Sequence, residues 1–144
     1  MPVLIGLDYG VRRIGIAISD TGGRLALPVG VHVEGRDGSV IARLDELARS
    51  RGATGVVVGL PLRTDGGEGD IAARARRFAG RLGEELGLPV TLIDERYSSR
   101  SAEQAIAARG RPARRGEVDD VAAQIILQDH LDRLQAGADT EGDA

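Results

Sequence analysis

Cysteine, lysine and tryptophan are absent from this 144-residue chain. Without thiols there is no disulfide, no thiolate nucleophile and no zinc–thiolate site. Aromatic side chains are nearly absent too, at one Phe and two Tyr, so the core must be aliphatic. That scarcity argues against a single-strand binder built on aromatic stacking platforms. The only imidazoles, His32 and His130, fall on an expected edge strand and a late helix, and both read as surface residues. They give no support for a zinc hydrolase. No apolar run approaches the length of a membrane span. The first apolar stretch is broken by Asp8 and lacks a basic leader, so it does not read as a signal peptide. A cytoplasmic protein without a membrane partner is the expectation.

What remains is ordinary for one globular domain: 42% hydrophobic and 28% charged residues. The net charge of −3 alone argues against nucleic acid, but all 19 basic residues are Arg. Arg is the side chain suited to bidentate phosphate contacts. A codon usage that favours Arg accounts for the missing lysine just as well.

The apolar pattern predicts strands at about 3–8, 13–19 and 25–34, joined by short turns and therefore antiparallel. Pro28 and Gly30 suit an edge strand or a bulge. A helix at about 38–51 carries Val40, Ile41, Leu44, Leu47 and Ala48 at helical spacing. A continuous apolar strand at 54–60 reads as covered on both faces. Further elements are a helix at about 70–86, a strand at about 89–93, a helix capped by Ser98 or Ser99 and reaching 108, and a helix at about 117–135. Right-handed crossovers then give an α/β fold. It is a five-stranded mixed sheet, three antiparallel strands followed by two parallel ones, with helices on both faces. Residues 1–136 form the domain, and 137–144 are expected to be a disordered acidic tail.

In that sheet the first, fourth and fifth strands are parallel, and ligands of open α/β sheets bind at the carboxyl ends of such strands. Asp8 and the run Asp94-Glu95-Arg96 arrive at that edge. Asp119-Asp120 opens the last helix, directly after the basic loop 109–116. Singly, each has an ordinary explanation: a turn aspartate beside Gly10, a local ion pair, acids favoured by a helix dipole. Together, carboxylates near one point repel unless a cation sits among them. Hard divalent ions such as Mg²⁺ or Mn²⁺ take oxygen ligands from carboxylates and from substrate phosphate. Such ions support in-line attack on a phosphodiester. Arg12 and Arg96 lie beside two of the acids, and Arg109, Arg111, Arg114 and Arg115 can track a nucleic-acid backbone or form a solvated loop. Periodicity does not choose between Asp119 and Asp120, because apolar residues fall on several faces of the last helix.

The motifs Gly6-Leu-Asp8-Tyr-Gly10-Val-Arg12-Arg-Ile-Gly15-Ile-Ala17, Val57-Val-Gly59-Leu-Pro61-Leu, Asp94-Glu95-Arg96-Tyr-Ser98-Ser99 and Val118-Asp119-Asp120-Val-Ala122-Ala123 occur in that order. With them the chain resembles the YqgF/RuvX family, relatives of the RuvC Holliday-junction resolvase in the RNase H-like superfamily, from residue 3 to about 134. The resemblance implies an RNase H-like fold and a catalytic, metal-binding triad at Asp8, Glu95 and Asp119, with Asp94 and Asp120 as neighbours or alternative ligands. It implies a nuclease of pre-16S rRNA 5′-end maturation. Alternatives are a dimeric Holliday-junction resolvase acting on branched DNA and a non-catalytic nucleic-acid-binding factor. The family often has lysine before its last motif, where this chain has Arg114 and Arg115.

Overall fold

The computed structural model describes residues 2–10, 12–33, 39–60, 70–94 and 117–142, with the backbone alone at 60, 70, 71, 94, 117–120 and 136–142. Five strands form one sheet: β1 (Val3–Asp8), β2 (Arg13–Ser19), β3 (Ala26–Val33), β4 (Ala53–Leu60) and β5 (Val90–Asp94). Their order across the sheet is β3-β2-β1-β4-β5. The β1–β2 and β2–β3 pairs are antiparallel, while β1–β4 and β4–β5 are parallel. This is the mixed sheet expected from the sequence.

Three helices stand among the described residues: α1 (Ser39–Arg51), α2 (Asp70–Leu86) and α3 (Glu117–Gly142). The period-two pattern of the strands sorts their side chains between two faces. Ile5, Leu7, Ile14, Ile16, Val56 and Val58 pack with Val40 and Leu44 of α1 and Leu82 of α2. On the opposite face Ala17 and Val57 meet Ala123, Ile126, Leu127 and Leu131 of α3. β4 is therefore covered on both sides, as its unbroken apolar run predicts.

β3 is an edge strand with a bulge. Gly30 pairs with Ile16 but Pro28 pairs with Ala17, which leaves Val29 as the extra residue. Proline lacks an N–H, and an edge with a bulge is where the ladder tolerates it. His32 is half-buried rather than a plain surface residue; its Nε2 lies 3.1 Å from Ser39 Oγ. His130 is half-buried as well, and that desolvation lowers its pKa.

α3 runs to Gly142, beyond the end near 135 that the sequence pattern predicts for this helix. Gly137 disfavours a helix interior by only about 1 kcal/mol relative to alanine, and no proline follows to stop the helix. The helix expected to reach 108 lies outside the described residues.

Two glutamines pin α3 to the far end of the sheet. Gln124 Nε2 donates to the Ala26 carbonyl at 3.0 Å, and Gln128 Oε1 accepts from the Ala26 N–H at 2.9 Å. Gln128 Nε2 also donates to the Arg24 carbonyl at 2.7 Å. Ala26 pairs with Ser19, whose hydroxyl accepts from the Leu4 N–H at 2.8 Å. Those bonds lie at the level where β1 begins, so α3 climbs toward the carboxyl end of β1 as its numbering falls.

Candidate active site

Asp8 is the last residue of β1 and is half-buried. Its partners in register are Gly15 on β2 and Gly59 on β4. A glycine on each side means that no neighbouring side chain crowds the carboxylate within the sheet. The row continues from Gly59 to Ile93, and the next pair is Leu60 with Asp94. At about 4.8 Å between strands, β5 stands roughly 10 Å from β1, two strand spacings away. The parallel pairing thus brings Asp8 and the end of β5 to one edge.

The helix reaches the same edge because Gly6 lets it come close. A Cβ placed on Gly6 would stand 2.6 Å from Leu127 Cβ and 3.2 Å from the Ala123 carbonyl oxygen. The absence of a side chain at Gly6 is therefore what admits the backbone of α3. Residue 119 precedes Ala123 by one turn, a rise of about 6 Å along the helix. Asp8 lies two residues beyond Gly6, about 6.6 Å along the strand. The first turn of α3, with Asp119 and Asp120, accordingly comes to the level of Asp8. By i, i+4 spacing position 119 is on the stripe of Ala123 and Leu127, whereas position 120 is on that of Gln124 and Gln128.

The loop after β1 is held from below. The Tyr9 ring lies 5.1 Å from that of Phe78, tilted by 34°, and packs on Ala72 and Ala75 of α2. Gly10 is needed for close approach, since a Cβ there would sit 2.5 Å from the Arg13 carbonyl oxygen. Sequence reasoning did not single out Tyr9. The only signal was the presence of two of the chain's three aromatic residues at positions 9 and 78.

Arg12 is exposed and lies in the short β1–β2 connection at this edge. Asp94 closes β5. Glu95, Arg96, Arg109, Arg111, Arg114 and Arg115 lie outside the described residues. Among the described residues no three His, Asp or Glu side chains converge as a metal cluster. No described helix is long and apolar enough to cross a membrane.

The chain matches the family model RuvX, described as Holliday junction resolvase, over residues 2–133. It is 48% identical over 131 residues to the "Putative pre-16S rRNA nuclease" of Anaeromyxobacter dehalogenans, covering 90% of this chain and 96% of that one. A protein of the same name from Nocardioides is 44% identical over 147 residues, covering 98% and 94%. Among solved structures, Thermus thermophilus RuvC in complex with a Holliday junction substrate superposes with a TM-score of 0.59 at 18% identity, covering 92% of this chain and 96% of that one. Fowlpox virus resolvase, complexed with Holliday junction DNA, superposes with a TM-score of 0.52 at 10% identity, covering 92% and 98%. At such identities the likeness speaks for a shared fold.

Proposed function

The chain belongs to the RuvX family, and from that premise we propose that it is a divalent-metal-dependent nuclease that hydrolyses phosphodiester bonds of RNA, in 5′-end maturation of pre-16S rRNA. The observation that carries this reading is the convergence of β1, β5 and the first turn of α3 on one edge, with Asp8 flanked by Gly15 and Gly59. The name shared by relatives at 44–48% identity supplies the substrate.

Asp8, Glu95 and Asp119 are the metal ligands in this reading, with Asp94 and Asp120 beside them. Glu95 follows Ile93 by two residues, and Ile93 packs on the α3 side of the sheet with Leu4 and Val57. The donor set is all oxygen, which suits Mg²⁺ or Mn²⁺ and excludes a soft-metal preference. Gly15 and Gly59 bring no side chain of their own against Asp8 within the sheet. Bound there, the ion supplies charge stabilisation at the scissile phosphate and acidifies water. The chain's own work is to hold three carboxylates at one point and to steady the nucleic acid. Arg12 and Arg96 stand next to the acids in sequence and offset phosphate charge, while Arg109, Arg111, Arg114 and Arg115 hold the backbone. The setting is the cytoplasm, where precursor rRNA is processed.

A cleavage panel tests the reading. Single-stranded RNA, a precursor rRNA bearing its 5′ leader and a four-way DNA junction are each incubated with Mg²⁺, Mn²⁺ or a chelator. Metal-dependent cleavage of the precursor is expected. Paired symmetric cuts in the junction alone, made by a dimer, would assign a resolvase instead. Binding without turnover in any metal would assign a non-catalytic factor.

A further inference from the structure

α2 carries a second basic surface that the carboxylate edge does not use. Arg74, Arg77 and Arg81 follow one another at i, i+3 and i+7 and are all exposed. The opposite side of the helix, Ala72, Ala75 and Leu82, is fully buried. None of the three arginines has an ion-pair partner among the described residues; the ion pair there is Arg49 with Asp45 on α1.

The order of charge along α2 is unfavourable for the helix itself. The last turn has no basic residue and holds Glu84 and Glu85, where the helix dipole favours cations. Arg81 stands one turn before those glutamates, but Arg74 and Arg77 lie toward the N-terminal end, where helix stability does not account for them. That end lies beside the candidate site, because Tyr9, the residue after Asp8, packs on Ala72 and Ala75 and on the Phe78 ring. Arg74 and Arg77 ride on the same turns.

From Arg74 to Arg81 the helix rises about 10.5 Å. A strand of double-stranded DNA presents a phosphate about every 3.4 Å of axis and an A-form RNA strand slightly more often, so the stripe spans roughly three to four phosphate steps. We propose that Arg74, Arg77 and Arg81 form a phosphate track that seats the base-paired flank of a structured RNA whose cleaved strand enters the carboxylate edge. The track rests on the nuclease reading above and adds a substrate class to it: RNA with a duplex next to the scissile bond. Guanidinium groups suit this because each can make paired hydrogen bonds to a phosphate.

The test is equilibrium binding in chelator, so that no turnover occurs, across a salt titration. The probes are a blunt RNA hairpin of about two helical turns and a single-stranded RNA of equal length. Each neutralised phosphate contributes about 0.9 to the slope of log affinity against log salt on B-DNA and about 0.7 on a single strand, and an RNA duplex of similar charge density is expected near the former. The triple variant Arg74→Gln, Arg77→Gln, Arg81→Gln should lower the hairpin slope by about two to three, by the same counting. The triple lysine variant should keep the slope within about one, because the charge is retained. Arg51→Gln, in the last turn of α1 at the opposite edge, should leave it unchanged. An unchanged hairpin slope in the glutamine variant overturns the track, as does an equal loss in the lysine variant or a loss confined to single-stranded RNA. If the wild-type protein binds neither probe, the nuclease reading falls as well. If wild type binds and cleaves but the glutamine variant binds the hairpin equally, only the track falls.

Discussion

Gly6 on β1 and Leu127 on α3 meet so closely that a Cβ at Gly6 would lie 2.6 Å from Leu127 Cβ. This contact sets how far α3 sits above the strand that ends in Asp8. The clash is with the Cβ atom of Leu127, so shortening that side chain to alanine does not relieve it. Gly6→Ala is expected to cost about 1–3 kcal/mol, the usual range for overpacking a core. Because the displaced helix carries Asp119 and Asp120, cleavage should fall by more than the stability loss explains. Urea denaturation and cleavage of Gly6→Ala and of Gly6→Ala/Leu127→Ala check this, and rescue by the second substitution would contradict it.

The lower end of α3 behaves differently. Gln128→Ala removes the partners of the Ala26 N–H and the Arg24 carbonyl at once. A buried polar group left unpaired costs about 1–3 kcal/mol, and part of this site is open to water, so the lower end of that range is expected. The pair lies far from Asp8, so the specific activity of the folded fraction should be unchanged. Chemical denaturation paired with active-fraction kinetics measures both.

Much of this architecture is readable in the amino-acid order. Strand alternation, the Pro28 and Gly30 irregularity and the unbroken run of β4 each follow from local physics, and the sheet matches them. The choice between Asp119 and Asp120 is not readable, because α3 is apolar on several faces and only its contact with Gly6 orients it. Tyr9 on Phe78 and Gln128 on Ala26 join residues 69 and 102 positions apart. No short-range pattern announces such pairs. The end of α3 is not readable either, because a lone glycine at 137 weakens a helix without ending it.

The orientation of α3 separates its two acids. Asp119→Asn should reduce cleavage by more than the roughly 10–100-fold typical of an outer partner of a metal site, and Asp120→Asn by no more than that range. Single-turnover cleavage of one precursor RNA by both variants compares them. The reverse order would assign Asp120 as the ligand.

Asp20 gives a pH signature distant from the site. Its Oδ1 accepts the N–H groups of Arg24 at 3.0 Å and Leu25 at 3.3 Å. Led by the Arg24 N–H, these bonds hold its pKa below the ordinary 3.8. A depressed carboxylate pKa means that the folded protein binds fewer protons than the unfolded chain in that range. The contribution is present above 3.8 and is lost as pH falls through the lower folded value. Asp20→Ala should therefore be less stable than wild type at neutral pH, with the gap closing in acid below 3.8. Denaturation midpoints of both proteins across that range follow the gap, and a gap independent of pH would exclude the carboxylate as its source.

Asp8 is the residue on which the functional account turns, and its conservative variant tests it most directly. Cleavage of a 5′-extended 16S precursor RNA by wild type and Asp8→Asn, titrated with Mg²⁺ and with Mn²⁺, is measured beside their thermal melts. The account predicts unchanged melting and no cleavage by the variant at any metal concentration at which wild type cuts. Wild-type rates in a folded Asp8→Asn protein would contradict it.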